Sequence, residues 1–243
     1  MGTVVTIDVY PFRGTGTLDF AAARGVLERA DEVFSTWHPD SAVSRLRRGE
    51  ISAADAPPEV SAVLADCMRA RELSGGWFDP WAMPGGFDPT GYVKGWAAQR
   101  ALAELAGLPI AGALVNAAGD IAALGTQPAG PPFRIGIADP DDPRRLAEIV
   151  ELTACIATSG TYERGSHLID PRSGIPAARV ASASVVGPDL GLADALATAV
   201  AVAGRDGLAF IEPLSDYEAL VIEYDGRKQW TSHFPIASTR EPG

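Results

Sequence analysis

Residues 193–202 read ADALATAVAV, an alanine-rich stretch whose polar side chains are Asp194 and Thr198. Four residues apart on a helix, they share one face. Two hard oxygen donors projecting together from an apolar helix are part of what a small divalent cation such as Mg²⁺ requires, and Mg²⁺ points to phosphate chemistry. The competing reading makes Asp194 a cap or solvated group at a helix N-terminus and has Thr198 bonding back to a carbonyl. Upstream, ATSGTYERGSHLIDPRSGIPA at residues 157–177 packs hydroxyls, one of three histidines and an Asp-Pro turn into a short span. His167 lies there among Ser159, Thr161, Ser166 and Asp170, any of which could fix its tautomer for proton transfer near neutral pH. A purely structural histidine is the alternative. Lys94 follows DPTGYV at what reads as a helix start, so glycine turn, helix N-terminus and lysine form a candidate anion cradle, against a solvated lysine on a first turn. The glycines match neither a Walker loop nor a dinucleotide fingerprint. Trp37, Trp77, Phe78 and Trp81 fall in loop-like segments, where rings either stack planar heterocycles or pin the loop to the core.

These groups need elements to hold them. Residues 4–10 alternate like a half-buried strand, and residues 18–34 carry apolar side chains at helical spacing behind Thr17 and Asp19. FSTWHPDSAVSRLRRG at residues 34–49 reads as a loop or cap over a site. A second amphipathic helix is predicted over residues 58–74. Then GGWFDPWAMPGGFDPTGYVKG puts six glycines, three prolines and two tryptophans into residues 75–95, a structured loop rather than a flexible linker. Helical spacing resumes at 96–106. Short strands are predicted at 113–115, 121–125, 133–138, 146–152, 182–186 and 219–224, the last closed by Asp225-Gly226. Strands with segregated helices argue an α+β fold with mostly antiparallel sheets.

At 243 residues, 47% apolar and 21% charged, the composition is that of a globular protein with a sizeable core, in one domain or two closely packed subdomains spanning 1–243. The net charge of −11, with no basic run beyond Arg45, Arg47 and Arg48, argues against nucleic acid as a partner. Cys67 and Cys155 are too few for a disulfide framework or a zinc site and read as buried thiols. No basic n-region, lipid-anchor cysteine or apolar run of membrane-spanning length is present, so no membrane insertion and a cytoplasmic location are expected.

Seven segments in order, MGTVVTI at the start, FSTWHPDSAVSRL at Phe34, GGWFDP at Gly75, DPTGYVKGWA at Asp88, LVNAAGDIAALG at Leu114, the 157–177 segment and ADALATAVAVAG at Ala193, resemble the ApbE family nearly end to end. Its members are flavin transferases that move FMN from FAD onto a Thr or Ser of an acceptor protein. The resemblance implies a T-fold-related α+β architecture, FAD as substrate, Mg²⁺ as cofactor and AMP as the second product. It implies that Met1, Trp37, Trp77, Phe78, Asp79, Asp88, Lys94, His167 and Leu168 contact FAD. Asp194, Thr198 and the Gly91 carbonyl would ligate Mg²⁺, while Ser159 and residues 116–120 would shape the site walls. His167 is then the expected base for the acceptor hydroxyl, oriented by Asp170 or a nearby carboxylate, and Lys94 a point charge on phosphate. The chain departs from the family in three places: only Trp81 to Phe87 separate the FDP motif from Asp88, Pro89, Thr90, Tyr92 and Val93 occupy the metal loop, and alanines stand in 116–120 where glycine is common. A Mg²⁺-dependent FAD pyrophosphatase and a non-catalytic flavin-binding protein are the competing functions.

Overall fold

A computed structural model describes residues 2–127, 130, 132–160 and 168–237. Strand β1 (Val5–Pro11) leads into helices α1 (Ala21–Phe34), α2 (Ala42–Arg47), α3 (Pro58–Leu73) and α4 (Thr90–Ala103). Strands β2 (Ile110–Ala117), β3 (Asp120–Gly125), β4 (Phe133–Ala138), β5 (Leu146–Leu152), β6 (Cys155–Gly160), β7 (Ile169–Asp170), β8 (Ile175–Pro176) and β9 (Ser182–Gly187) follow. Helix α5 (Leu190–Ala203), a 3₁₀ turn, the short α6 (Leu208–Ile211) and strands β10 (Glu218–Ile222) and β11 (Lys228–Trp230) complete the described elements.

The main sheet has seven strands in the order β1-β2-β3-β6-β9-β10-β11, every neighbouring pair antiparallel. Alternation along the strands divides its side chains between two cores. On one face Ala113, Val115, Ala122, Ala157, Val185 and Val221 meet the helices. On the other, Ile156, Val186, Leu220 and Ile222 meet Phe133, Ile137, Val150 and Leu152 of the β4–β5 hairpin. The sheet is thus covered on both faces. Helices α4 and α5 lie on the first face, with α1 and α3 packed over them. The α+β class and the antiparallel sheet match the sequence expectation. Among the described residues no helix is long and apolar enough to cross a membrane.

Helix α5 is the hub. All but one of its residues are buried, as expected for a helix apolar on every side, and Asp189 caps it by accepting from the Leu192 amide at 2.8 Å. The cap reading of Asp194 is therefore excluded, since Asp194 sits one turn inside. Helix α4 packs on α5 so closely that a methyl group at Gly95 would stand 2.3 Å from the Leu190 carbonyl oxygen. From the opposite side, Gly191 faces the Tyr92 ring, whose Cζ would be 2.8 Å from an added methyl.

Two local predictions are corrected. Residues 34–49 contain α2, started by Ser41, whose side chain accepts from the Ser44 amide at 3.0 Å. Helix α4 begins at Thr90 rather than Trp96, so Lys94 lies in its second turn. Arg47 of α2 ties down the short 81–88 loop: it donates to the Gly85 and Pro84 carbonyls at 3.1 and 2.6 Å and pairs with Asp88 at 3.3 Å.

The β2–β3 hairpin closes through Ala118 and Gly119, both at positive φ (50° and 98°), with Ala117 paired to Asp120. A two-residue turn of this hand matches the strand twist. The Asn116 side chain accepts from the Gly119 amide at 2.8 Å. Ala118 adopts the left-handed region at a cost of about 1 kcal/mol, part of which glycine would return in lost chain entropy. Ala118→Gly is expected to raise stability by about 0.5 kcal/mol in a chemical melt; a lower midpoint would contradict the strain assigned to this turn.

Candidate functional site

Period-two alternation places Asp120 of β3 and Ser159 of β6 on the helical face of the sheet, beneath α4 and α5. Helical spacing brings Asp194 and Thr198 of α5 to the same place. Ser159 Oγ and Thr198 Oγ1 are 3.2 Å apart. Gly91, in the first turn of α4, abuts this pair: an added methyl would be 3.6 Å from Thr198 Oγ1 and 3.3 Å from Phe78 Cε2. The Asp194 carboxylate accepts from the Gly95 amide at 3.3 Å and lies 3.7 Å from Lys94 Nζ. Lys94 in turn pairs with Asp120, whose other oxygen accepts from the Thr158 amide at 3.3 Å.

Burial drives the Asp194 carboxyl well above the usual carboxylate range, and the negative charge of Asp120 pushes it the same way, while Lys94 and the Gly95 amide pull it down. A buried acid in this condition favours a nearby cation. Among the described residues the groups around it are oxygen-bearing: the Asp120 carboxylate across Lys94 and the hydroxyls of Thr198 and Ser159, with the first turn of α4 at Gly91 beside them. That set suits Mg²⁺ better than a thiophilic metal. Among the described residues no three His, Cys, Asp or Glu side chains converge as a metal cage.

The other predicted residues lie as follows. Phe78 is buried and walls the Gly91 turn. The Trp77 ring carries the Arg172 guanidinium 3.6 Å from its centroid and that of Arg179 at 4.8 Å. Asp79 pairs with Arg71 at 2.6 Å, and Asp88 accepts from the Thr90 amide at 3.0 Å besides its bond to Arg47. Leu168 is buried. Trp37 is 86% exposed on the loop after α1, and no described contact brings it to the cluster. Met1 and His167 lie outside the described residues. Asp170, the suggested orienting group, accepts from the Arg172 amide at 2.9 Å. Both cysteines are free and buried, and burial pushes their thiols up, so neither is poised as a nucleophile.

Asp120 is the residue the sequence undersold. Read only as part of a site wall, it is fully buried and ion-paired at the centre of the cluster. A carboxylate directly after a tight turn, opening a strand of small residues, was the available signal.

The family model described as ApbE family matches residues 1–85 and 84–221. The chain belongs to the ApbE family. Two curated relatives, each named FAD:protein FMN transferase, are 34% identical: one from Rhodobacter capsulatus over 173 residues, 63% of this chain and 32% of the relative, and one from Vibrio cholerae serotype O1 over 153 residues, 58% and 46%. The matches thus span less than half of either relative. Among solved structures, the flavin transferase ApbE from Vibrio cholerae superposes with a TM-score of 0.82 at 24% identity, covering 96% of this chain and 95% of that one. The apo form of the Pseudomonas stutzeri flavinyl transferase ApbE gives 0.77 at 23%, covering 95% and 92%. Likeness at this identity shows the shared fold.

Proposed function

We propose that this ApbE-family protein is a Mg²⁺-dependent FAD:protein FMN transferase, cleaving the FAD pyrophosphate and joining FMN through a phosphoester to a Thr or Ser of an acceptor protein, with AMP released. The observation that carries this reading is the meeting of Asp194, Thr198, Ser159, Gly91 and Lys94 at one junction of α4, α5 and β6. The names of the two curated relatives support it.

Asp194, Thr198 and the Gly91 carbonyl would hold Mg²⁺, which when bound supplies charge neutralisation on phosphate oxygens. Lys94, half-buried beside this position, adds a fixed positive charge against the charge that grows on the bridging oxygen as AMP departs. Trp77, its ring stacked against the Arg172 guanidinium, and Phe78, which walls Gly91, are among the proposed FAD contacts, and Asp79 and Asp88 are held in place by Arg71 and Arg47. His167 is the proposed base that takes the acceptor hydroxyl proton as the oxygen attacks phosphorus; Leu168 and Met1 complete the proposed FAD contacts. Two cores sharing one sheet suit a chain acting as a single domain. Two free buried thiols suit a cytoplasmic location.

The test is mass spectrometry of a candidate acceptor after incubation with FAD and Mg²⁺. Added mass equal to FMN on a Thr or Ser is expected. Free FMN and AMP with no modified protein would replace this reading with a pyrophosphatase, and unaltered FAD would leave a flavin-binding protein.

A further inference from the structure

Asp120 and Asp194 stand on two sides of one ammonium group. Asp120 belongs to the first residue pair of a hairpin held by the tight turn at 118–119, and Asp194 to the central buried helix, while Lys94 reaches between them from α4. The two contacts differ: Lys94 Nζ is in direct ion-pair contact with Asp120 but 3.7 Å from Asp194. Both oxygens of Asp120 are engaged, one by Lys94 and the other by the Thr158 amide. A side chain with 0% exposure, anchored this way on a strand, has little freedom to follow a ligand.

We propose that Asp120 is the positioning residue for Lys94, holding the ammonium off Asp194 so that the Asp194 carboxylate stays available to a divalent cation. The proposal rests on the cation reading above. Once Asp194 gives up its proton to an arriving dication, the two carboxylates and one ammonium among the described residues carry a single net negative charge, which leaves the loaded site positive toward a diphosphate. Without the Asp120 charge, the anion left beside Lys94 among the described residues is Asp194. The pair would neutralise itself, and a dication would have to displace an ammonium to bind. Asp120 thus keeps two positive charges, one fixed and one exchangeable, side by side without competition for the same oxygens.

The experiment measures Mn²⁺ affinity of the full chain by electron paramagnetic resonance, in wild type, Asp194→Asn, Asp120→Asn, Lys94→Met and the Asp120→Asn/Lys94→Met double variant. Asp194→Asn is expected to remove the bound Mn²⁺; persistence there overturns the cation reading and this proposal with it. With that loss in hand, Asp120→Asn is expected to weaken Mn²⁺ at least tenfold, and the double variant to recover to within about threefold of Lys94→Met. Unchanged affinity in Asp120→Asn overturns the positioning role alone. So does a double variant as weak as Asp120→Asn, which would make Asp120 a direct ligand. Lys94→Met keeps the proposal testable if the Asp120 variants do not fold: it should bind Mn²⁺ at least as tightly as wild type, and weakening beyond threefold contradicts it.

Discussion

Asp194→Asn is expected to abolish flavin transfer while yielding a protein that, in chelator, melts at a higher temperature than wild type. The loss follows from geometry: Asp194 is the carboxylate at the junction where Thr198, Ser159 and Gly91 converge. Removing such a preorganised charge costs on the order of 10²–10³ in rate, or more where a cation leaves with it. The gain in stability follows from burial. The folded-state pKa of this acid lies well above the unfolded value, so between the two the native chain keeps a proton that the unfolded chain has released. Stability in chelator is therefore fully present below the ordinary carboxylate range and falls as pH rises through this window. Asparagine cannot ionise, so the variant should show a flatter pH dependence and its largest advantage at the upper end. Mg²⁺ should reverse the ranking, adding about 2.7 kcal/mol to wild type at a hundredfold excess over Kd and nothing to the variant. Melting curves with chelator and with Mg²⁺, at two pH values, check each part. A variant less stable than wild type in chelator at the upper pH would show that the buried charge is better compensated than its surroundings indicate.

Gly95→Ala is expected to be nearly as damaging although it removes no polar atom. Its methyl would sit 2.3 Å from the Leu190 carbonyl oxygen and 2.7 Å from that carbonyl's carbon, both backbone atoms of α5 that cannot rotate away. The helices must part. Overpacking of this kind costs roughly 1–3 kcal/mol. The catalytic consequence follows because Lys94 and the Gly95 amide both address Asp194 across this interface. A shift of about 1 Å there is expected to lower transfer by on the order of 10²-fold. Gly107→Ala, where nothing lies within 4 Å of the added methyl, is the control and should change stability by less than about 0.5 kcal/mol. Equal melting midpoints for the two variants would mean that α4 and α5 are not in the tight contact described.

Much of this could be read in the residues beforehand. The Asp194–Thr198 pair stands out in the sequence because α5 is otherwise apolar along its length, so two polar side chains four apart are conspicuous. The β4 and β5 spans were legible because β-rich residues between turn signals mark them. Strand β6 was not. Its six residues, CIATSG, are buried on both faces, so no alternation betrays it, and its small polar side chains resemble a loop. The start of α4 was hidden for a related reason: Gly91 and Gly95 look like breakers in isolation, yet the close approach of α5 leaves no room for a side chain at Gly95. Tertiary packing overrides propensity there. The role of Asp120 depends on a pairing 26 residues away in sequence, which no local pattern encodes. The aromatic segment around Trp37 read as a loop but hid α2, whose Arg47 fastens the shortened 81–88 span.

Strands β3 and β6 are neighbours in the sheet, yet the chain between them detours through the β4–β5 hairpin on the face away from α4 and α5. The tip of that detour, around Asp141, Pro143 and Arg144, is solvent-facing. Nature or an engineer could therefore lengthen the excursion, or splice a reporter into it, while Ile121 and Ile156 still zip β3 and β6 together. The scaffold carries its own mounting bracket on the sheet face opposite α4 and α5.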